Sequence, residues 1–151
     1  KRLIHGGEAP TAASWGAANR SALVRVPLFK PDKAASARIE YRALDPACNP
    51  YLAFAVLLNA GLDGIDRELP LGSEAEDEAW TLTARERAAL GMASLPRNLE
   101  DAIEIMEDSE LVAETLGEHL FDYFLRNKRH EFEIYRQQIT PVELRTMLSR
   151  L

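Results

Sequence analysis

Arg38, Glu40 and Arg42 alternate through Ala37–Arg42, and a period of two puts their side chains on one face of an extended strand, with Ile39 and Tyr41 on the other. Two arrangements give such a row: a solvated edge strand laced by cross-strand ion pairs, or a floor that binds an anion or a metal. The second uses Glu40 as a hard oxygen ligand for a divalent cation and the flanking arginines for an anionic substrate beside it. Upstream, Asn19-Arg20-Ser21 ends one extended stretch and Arg25 follows five residues after Arg20. Guanidinium groups delivered from a turn suit phosphate oxygens and the charge that develops in phosphoryl transfer, and they suit surface ion pairs equally well. His5-Gly6-Gly7-Glu8-Ala9-Pro10 carries one carboxylate on a glycine pair. It reads as an ordinary turn with an exposed acid or as a movable lid presenting Glu8 as a base or charge gate. It lacks the spacing and the Lys-Ser/Thr of a phosphate-binding glycine loop.

The remaining reactive side chains are scattered. His5, His119 and His130 have no zinc-ligand spacing, and the last two fall in helical patterns as structural or solvent-facing residues. Cys48 has no histidine nearby in sequence and reads as a small core-facing residue. Phe121, Phe124 and Leu125 lie at helical spacing and read as core or subunit contact, while Arg126–Arg129 reads as a solvated face.

The elements that must position these groups change period along the chain. Thr11–Trp15 and Ala22–Pro27 are extended and flank the polar turn Gly16–Ser21; Ala37–Arg42 is a further strand. After Asp45-Pro46, Asn49 and Pro50 are an N-cap and a first-turn proline. The following segment is apolar almost all round, which predicts a buried helix to about Arg67. Residues 68–82 read as a surface loop. Thr83 with Glu86 and Thr140 with Glu143 are capping boxes opening helices. Asn98 caps a helix to about Asp108, and Ser109 begins a longer pair through Gln138. The fold class is α+β: antiparallel strands in the N-terminal third, then a helical C-terminal two-thirds.

The 151 residues are 46% apolar and 28% charged, which excludes a disordered tail, a collagen-like chain and a small disulfide scaffold. Residues 1–48 carry eight Lys/Arg against four acids, and the remainder ten against twenty. The cations are interleaved with Gly, Pro and apolar residues rather than forming a dense basic run, so nucleic acid is not expected. Five of the eight are arginine, whose planar fork suits bidentate oxyanion binding, so phosphates and carboxylates are the expected anions. A single cysteine permits no internal disulfide, and the longest apolar run, Leu52 to Leu58, is far below the ~20 residues of a membrane span. A cytoplasmic protein without membrane contact is expected. The chain opens at Lys1 with no Met and no lead-in to its first element, so it is expected to be a piece of something longer.

The ordered blocks Lys1-Arg2-Leu3, Gly6-x-Glu8-Ala9-Pro10, Asn19-Arg20-Ser21-Ala22-x-x-Arg25-x-Pro27, Arg38-Ile39-Glu40-x-Arg42 and Asp45-Pro46-x-x-Asn49-Pro50-Tyr51-Leu52 are far more specific together than any one alone. They resemble the C-terminal part of the catalytic domain of type I glutamine synthetases. The helical remainder, including Glu118–Arg129, resembles an actinobacterial glutamine-synthetase-like subgroup. The resemblance covers residues 1–151 and is densest over 1–65. It implies ATP-dependent amide formation, in which glutamate is phosphorylated on its γ-carboxylate and ammonia displaces the phosphate.

By the same resemblance Arg2 and Arg42 hold glutamate and its phosphorylated form, and Glu8 sits on a flap that shields the intermediate from water. Arg20 stabilises the transferring phosphoryl group, Arg25 and Arg38 contact ATP phosphates, and Glu40 ligates Mg²⁺ or Mn²⁺. The implied assembly is a stacked-ring homo-oligomer, a dodecamer, with sites between neighbouring subunits. Three departures matter. The N-terminal β-grasp domain, the other metal carboxylates and the glycine-rich ATP signature of the family are absent, so the isolated chain is expected to have no synthetase activity. Gly7 replaces the flap tyrosine, which leaves open a wider pocket and a larger amine, hence a γ-glutamyl-amine or polyamine ligase as the alternative; a catalytically inactive structural homologue is a third reading. Trp80 stands in the loop that carries an adenylylated tyrosine in some members and has no hydroxyl to modify.

Overall fold

The computed structural model describes residues 9–17, 19–28, 32, 36–76 and 81–148. The chain divides into two compact units, Lys1–Arg97 and Asn98–Leu151. Arg2, Glu8 and Trp80 lie outside the described residues, and so do the expectations attached to them.

In the first unit a three-stranded sheet runs in the order β1 (Trp15–Gly16), β2 (Val24–Arg25), β3 (Glu40–Tyr41). β2 and β3 are antiparallel, with Val24 opposite Tyr41 and Arg25 opposite Glu40. β1 is parallel to β2, with Trp15 opposite Val24 and Gly16 opposite Arg25, so this one pairing departs from the antiparallel expectation. The reason is local. Asn19 Oδ1 accepts hydrogen bonds from the Ser21 amide at 2.8 Å and the Ser21 hydroxyl at 2.7 Å, an Asx turn that redirects the chain before it reaches β2. The chain then runs forward again, donating from Val24 to the Ser14 carbonyl and from Val26 to that of Gly16, both at 3.0 Å.

α1 (Pro50–Asp66) starts where expected, with Asn49 accepting from the Tyr51 and Leu52 amides and Pro50 in its first turn. It is not a buried helix: none of its residues is buried. Tyr51, Phe54, Leu58, Leu62 and Ile65 form one exposed stripe, Phe54 at 65% and Leu58 at 66%, because no described element packs over it. Cys48 is likewise exposed rather than core-facing, since it sits in the turn closed by its own amide on the Asp45 carbonyl, just ahead of that uncovered helix. The Thr83 capping box opens α2 (Ala84–Ala89) with both reciprocal bonds formed.

The segment before α2 is not a simple surface loop. Ala75 is buried with Ala12 and Met92, with Leu82 against them. The Ala75 amide donates to the Trp15 carbonyl at 2.8 Å, and residues 93–95 pair with residues 11–13 across an Ala12–Ser94 bridge. Two later segments therefore fasten the first strand region.

The second unit is helical: α3 (Leu99–Glu107), α4 (Glu110–Leu116), α5 (Glu118–Arg136) and α6 (Pro141–Leu148). Asn98 and Ser109 cap α3 and α4 as expected, and Thr140 and Glu143 complete the capping box of α6. Gly117, at φ 72°, separates α4 from α5, a conformation that favours glycine. Ile103, Phe121 and Leu125 form the core, with Met106, Val112, Leu116 and Phe132 against it. Each fully buried side chain of this kind contributes about 1.5–3 kcal/mol. Phe124 is only half-buried, under the Lys128 ammonium 5.5 Å from its ring centre. His119 and His130 face solvent.

Candidate functional site

The face shared by β2 and β3 gathers three of the residues singled out in the sequence. Arg25 and Glu40 are register partners, and the Arg25 guanidinium donates to one Glu40 oxygen at 3.0 Å. Arg38, two residues before Glu40 on the same face, donates to the other oxygen, also at 3.0 Å. Glu40 is thus clamped between two guanidinium groups while its side chain stays 32% exposed. The Arg25 hydrogen bond, reinforced by Arg38 and by both positive charges, holds the Glu40 carboxyl below its ordinary value against a smaller opposing effect of burial. The carboxylate is therefore ionised at neutral pH. Arg25 Nε is buried and has no hydrogen-bond partner among the described residues, so this guanidinium has donor capacity left over.

Arg42 approaches from the end of β3. Its amide donates to the Leu23 carbonyl at 2.9 Å, and its guanidinium makes a long 3.4 Å contact with the Ala22 carbonyl. Arg20 lies at the tip of the turn before Ala22, with its side chain exposed. β2 and β3 thus carry Arg25, Arg38 and Arg42 on one sheet with a single carboxylate, and Arg20 stands on the turn that leads into β2. That composition is fitted to a polyanion.

It is less complete for a metal. No group of three or more His, Cys, Asp or Glu side chains suited to a metal ion occurs among the described residues. Both Glu40 oxygens are already engaged by arginine. Alone, Glu40 supplies one ligand and not a site.

Two contributors were not assigned a role from sequence: Asn19, which ties the Arg20 turn together, and the segment Gly72–Ala75, which braces it. The Trp15 indole donates to the Gly72 carbonyl at 2.7 Å, the Ala17 amide to Glu74 Oε1 at 2.6 Å, and Asn19 Nδ2 to the Ala75 carbonyl at 3.0 Å. The available signal was Gly16: a glycine within a strand marks a place where another backbone comes close. A Cβ there would lie 3.0 Å from Asn19 Cβ and 3.1 Å from the Ala75 carbonyl oxygen.

In the helical unit, a hollow of about 370 Å³ is floored by Ile103 and Phe132 and rimmed by Glu104, Glu107, Arg129 and Arg136. Its arginines are committed, Arg129 to Glu107 and Arg136 to Glu133. The run Arg126–Arg129 is a largely solvated face as expected, with Arg126 over the Tyr123 ring and Lys128 bonded to Glu131 at the surface. No helix among the described residues is long and apolar enough to cross a membrane.

Comparison with known proteins gives the arrangement its relatives. Residues 1–147 match the family model described as glutamine synthetase, catalytic domain. The chain is 64% identical over 149 residues to the glutamine synthetase of Mycolicibacterium smegmatis, covering 99% of this chain and 33% of that protein. It is 44% identical over 151 residues to the glutamine synthetase of Methanosarcina mazei, again covering 33% of the relative. Among solved structures, ligand-free GmaS superposes with a TM-score of 0.75 at 34% identity, over 92% of this chain and 30% of that one. The Plasmodium falciparum glutamine synthetase, at 19% identity, shares the fold with a TM-score of 0.77 over 95% of this chain and 35% of its own. The chain spans about a third of the length of the curated relatives it matches.

Proposed function

Because the chain belongs to the glutamine synthetase catalytic-domain family, we propose that residues 1–151 are the C-terminal portion of an ATP-dependent ligase that joins glutamate to ammonia. The observation that carries the reading is the cluster of Arg25, Arg38 and Glu40 on one sheet face, with Arg42 at the end of the same strand and Arg20 on the turn before β2. A reaction that passes a phosphoryl group between two anions needs such a concentration of fixed positive charge, because most of its catalysis is positioning and electrostatics.

In this reading a γ-carboxylate oxygen of glutamate attacks the γ-phosphorus of ATP, the bond to the β-phosphate oxygen breaks, and ADP leaves. Ammonia then attacks the acyl carbon, the carbon–oxygen bond to phosphate breaks, and glutamine forms as inorganic phosphate and a proton depart. Arg25 and Arg38 hold the ATP phosphates, and Glu40 fixes the direction of both guanidinium groups. Arg20 faces the phosphoryl group in transit. Arg2 and Arg42 hold glutamate through its charged ends, and Glu8 belongs to the flap that keeps water from the acyl phosphate. A Mg²⁺ or Mn²⁺ ion would add Lewis-acid charge at the phosphates. Glu40 would supply one of its ligands, and carboxylates from the rest of the full-length ligase would supply the others. That ligase is a stacked-ring homo-oligomer, a dodecamer in this proposal.

Gly7, where the family has a flap tyrosine, favours a second reading with a bulkier amine as nucleophile. The test is ADP and phosphate release by the full-length ligase with glutamate and either ammonium, putrescine, spermidine or ethanolamine. Turnover with ammonium alone supports glutamine synthesis and defeats the second reading. Turnover only with a larger amine reverses them, and no glutamate-dependent turnover overturns both.

A further inference from the structure

We infer that Asn19 is a positioning residue for Arg20, working by fastening the Arg20 turn to the distant segment Gly72–Ala75. The inference rests on the ligase reading above, in which Arg20 meets the transferring phosphoryl group.

Asn19 uses both ends of its amide. Oδ1 accepts from the Ser21 amide and hydroxyl at 2.8 and 2.7 Å, and Nδ2 donates to the Ala75 carbonyl at 3.0 Å. This pattern fixes the amide orientation, because the Ser21 amide can only donate and the Ala75 carbonyl can only accept. Ser21 is 1% exposed and Ala22 is fully buried, so the chain is held immediately after Arg20. Asn19 holds it immediately before. Arg20 is therefore an exposed side chain on a backbone pinned at both neighbours, the arrangement a preorganised cation requires.

The anchor comes from 56 residues away in sequence. The Gly72–Ala75 segment bonds to Trp15 and Ala17 ahead of the turn and to Asn19 within it, so it holds the bend along the side that leads into Arg20. Gly16 permits the approach, since a Cβ would crowd both Asn19 and the Ala75 carbonyl. A side chain that only capped a turn would need neither this long-range acceptor nor this glycine.

The experiment is a double-mutant cycle in the full-length ligase, with Asn19→Ala, Arg20→Ala and the pair. Steady-state kcat and the KM for ATP and glutamate are read beside nucleotide-dependent thermal stabilisation. Asn19→Ala is expected to lower kcat about 10- to 100-fold with KM values little changed, since a misplacement on the order of 1 Å costs that much. In the Arg20→Ala background it should have almost no further effect. Glu74→Ala, which removes a more exposed brace, is the second variant; it should lower kcat in the same non-additive way and serves if Asn19→Ala does not fold. Asn19→Asp keeps the acceptor for Ser21 and loses the donor to Ala75, so an intermediate kcat supports the bracing role. Equal losses in both Arg20 backgrounds, or unchanged kcat in folded Asn19→Ala or Glu74→Ala enzyme, overturn the inference while leaving the ligase reading standing. A wild-type protein without glutamate-dependent turnover overturns the ligase reading, and the inference with it.

Discussion

Arg25 and Glu40 face each other directly across β2 and β3, and their side chains meet at 3.0 Å. A cross-strand pair of opposite charge is ordinary sheet chemistry. What sets this one apart is Arg38 on the remaining oxygen and an Arg25 Nε that has no partner among the described residues. The carboxylate aims two cations and still leaves one of them with a donor unused.

Removing Arg25 should therefore release Glu40. In Arg25→Ala the Glu40 carboxyl is expected to rise toward its ordinary value of 4.5, because the largest cause of its lowering is gone. Since the folded value lies below the unfolded one, the pair stabilises the fold above about pH 4.5 and loses that contribution as pH falls through the depressed value. Carbon-detected NMR titration of Glu40, with melts of wild type and Glu40→Gln between about pH 3 and 7, reads this. A stability difference that grows in acid would contradict it.

Gly16 and Gly61 should respond oppositely to alanine. At Gly16 the new methyl meets Asn19 Cβ and a backbone carbonyl at 3.0 and 3.1 Å, a crowding expected to cost about 1–3 kcal/mol. At Gly61, inside α1, nothing lies within 4 Å, so alanine should stabilise the helix by about 0.5–1 kcal/mol. Denaturant melts of the two variants give the comparison.

The helical unit has its own vulnerable point at Leu125, 4% exposed in the core with Ile103 and Phe121. Leu125→Ala should cost about 2–5 kcal/mol, whereas Thr140→Ala, which removes only a cap, should cost about 1 kcal/mol. Amide exchange should show the first loss across α3 and α5 and the second confined to α6.

The stripe of Tyr51, Phe54, Leu58, Leu62 and Ile65 should make the isolated 151-residue chain associate. Light scattering is expected to show concentration-dependent oligomers that Phe54→Ser with Leu58→Ser diminishes. An equally monodisperse monomer in both proteins would refute this.

The isolated chain, which spans about a third of the length of the curated relatives it matches, is also expected to show no ATP-dependent amidation of glutamate. Any glutamate-dependent ADP release by it would refute the proposed division of labour.

Much of the local architecture was legible because it depends on neighbours in sequence. The Asn49, Thr83, Asn98 and Thr140 caps each act within one turn, and all form as read. The Arg38–Glu40 pair follows from strand alternation alone. What failed to show was decided by distant or missing neighbours. An all-round apolar α1 implies burial, but composition cannot name the surface that covers it. The bracing by Gly72–Ala75 depends on bonds to Asn19 and Trp15, and no periodicity encodes those. The cationic site was visible as residue types. Its support was not.

The same long-range fastening has a kinetic consequence. Bonds between residues 15–19 and 72–75 close a loop that contains both later strands and all of α1. Closing so long a loop costs chain entropy before any contact repays it, whereas α1 and its cap require only neighbours. The helix can therefore form early, while the bend carrying Arg20 acquires its final shape only when residues 72–75 have come back to it. During refolding, amide protection at the bend carrying Arg20 should lag behind helix content.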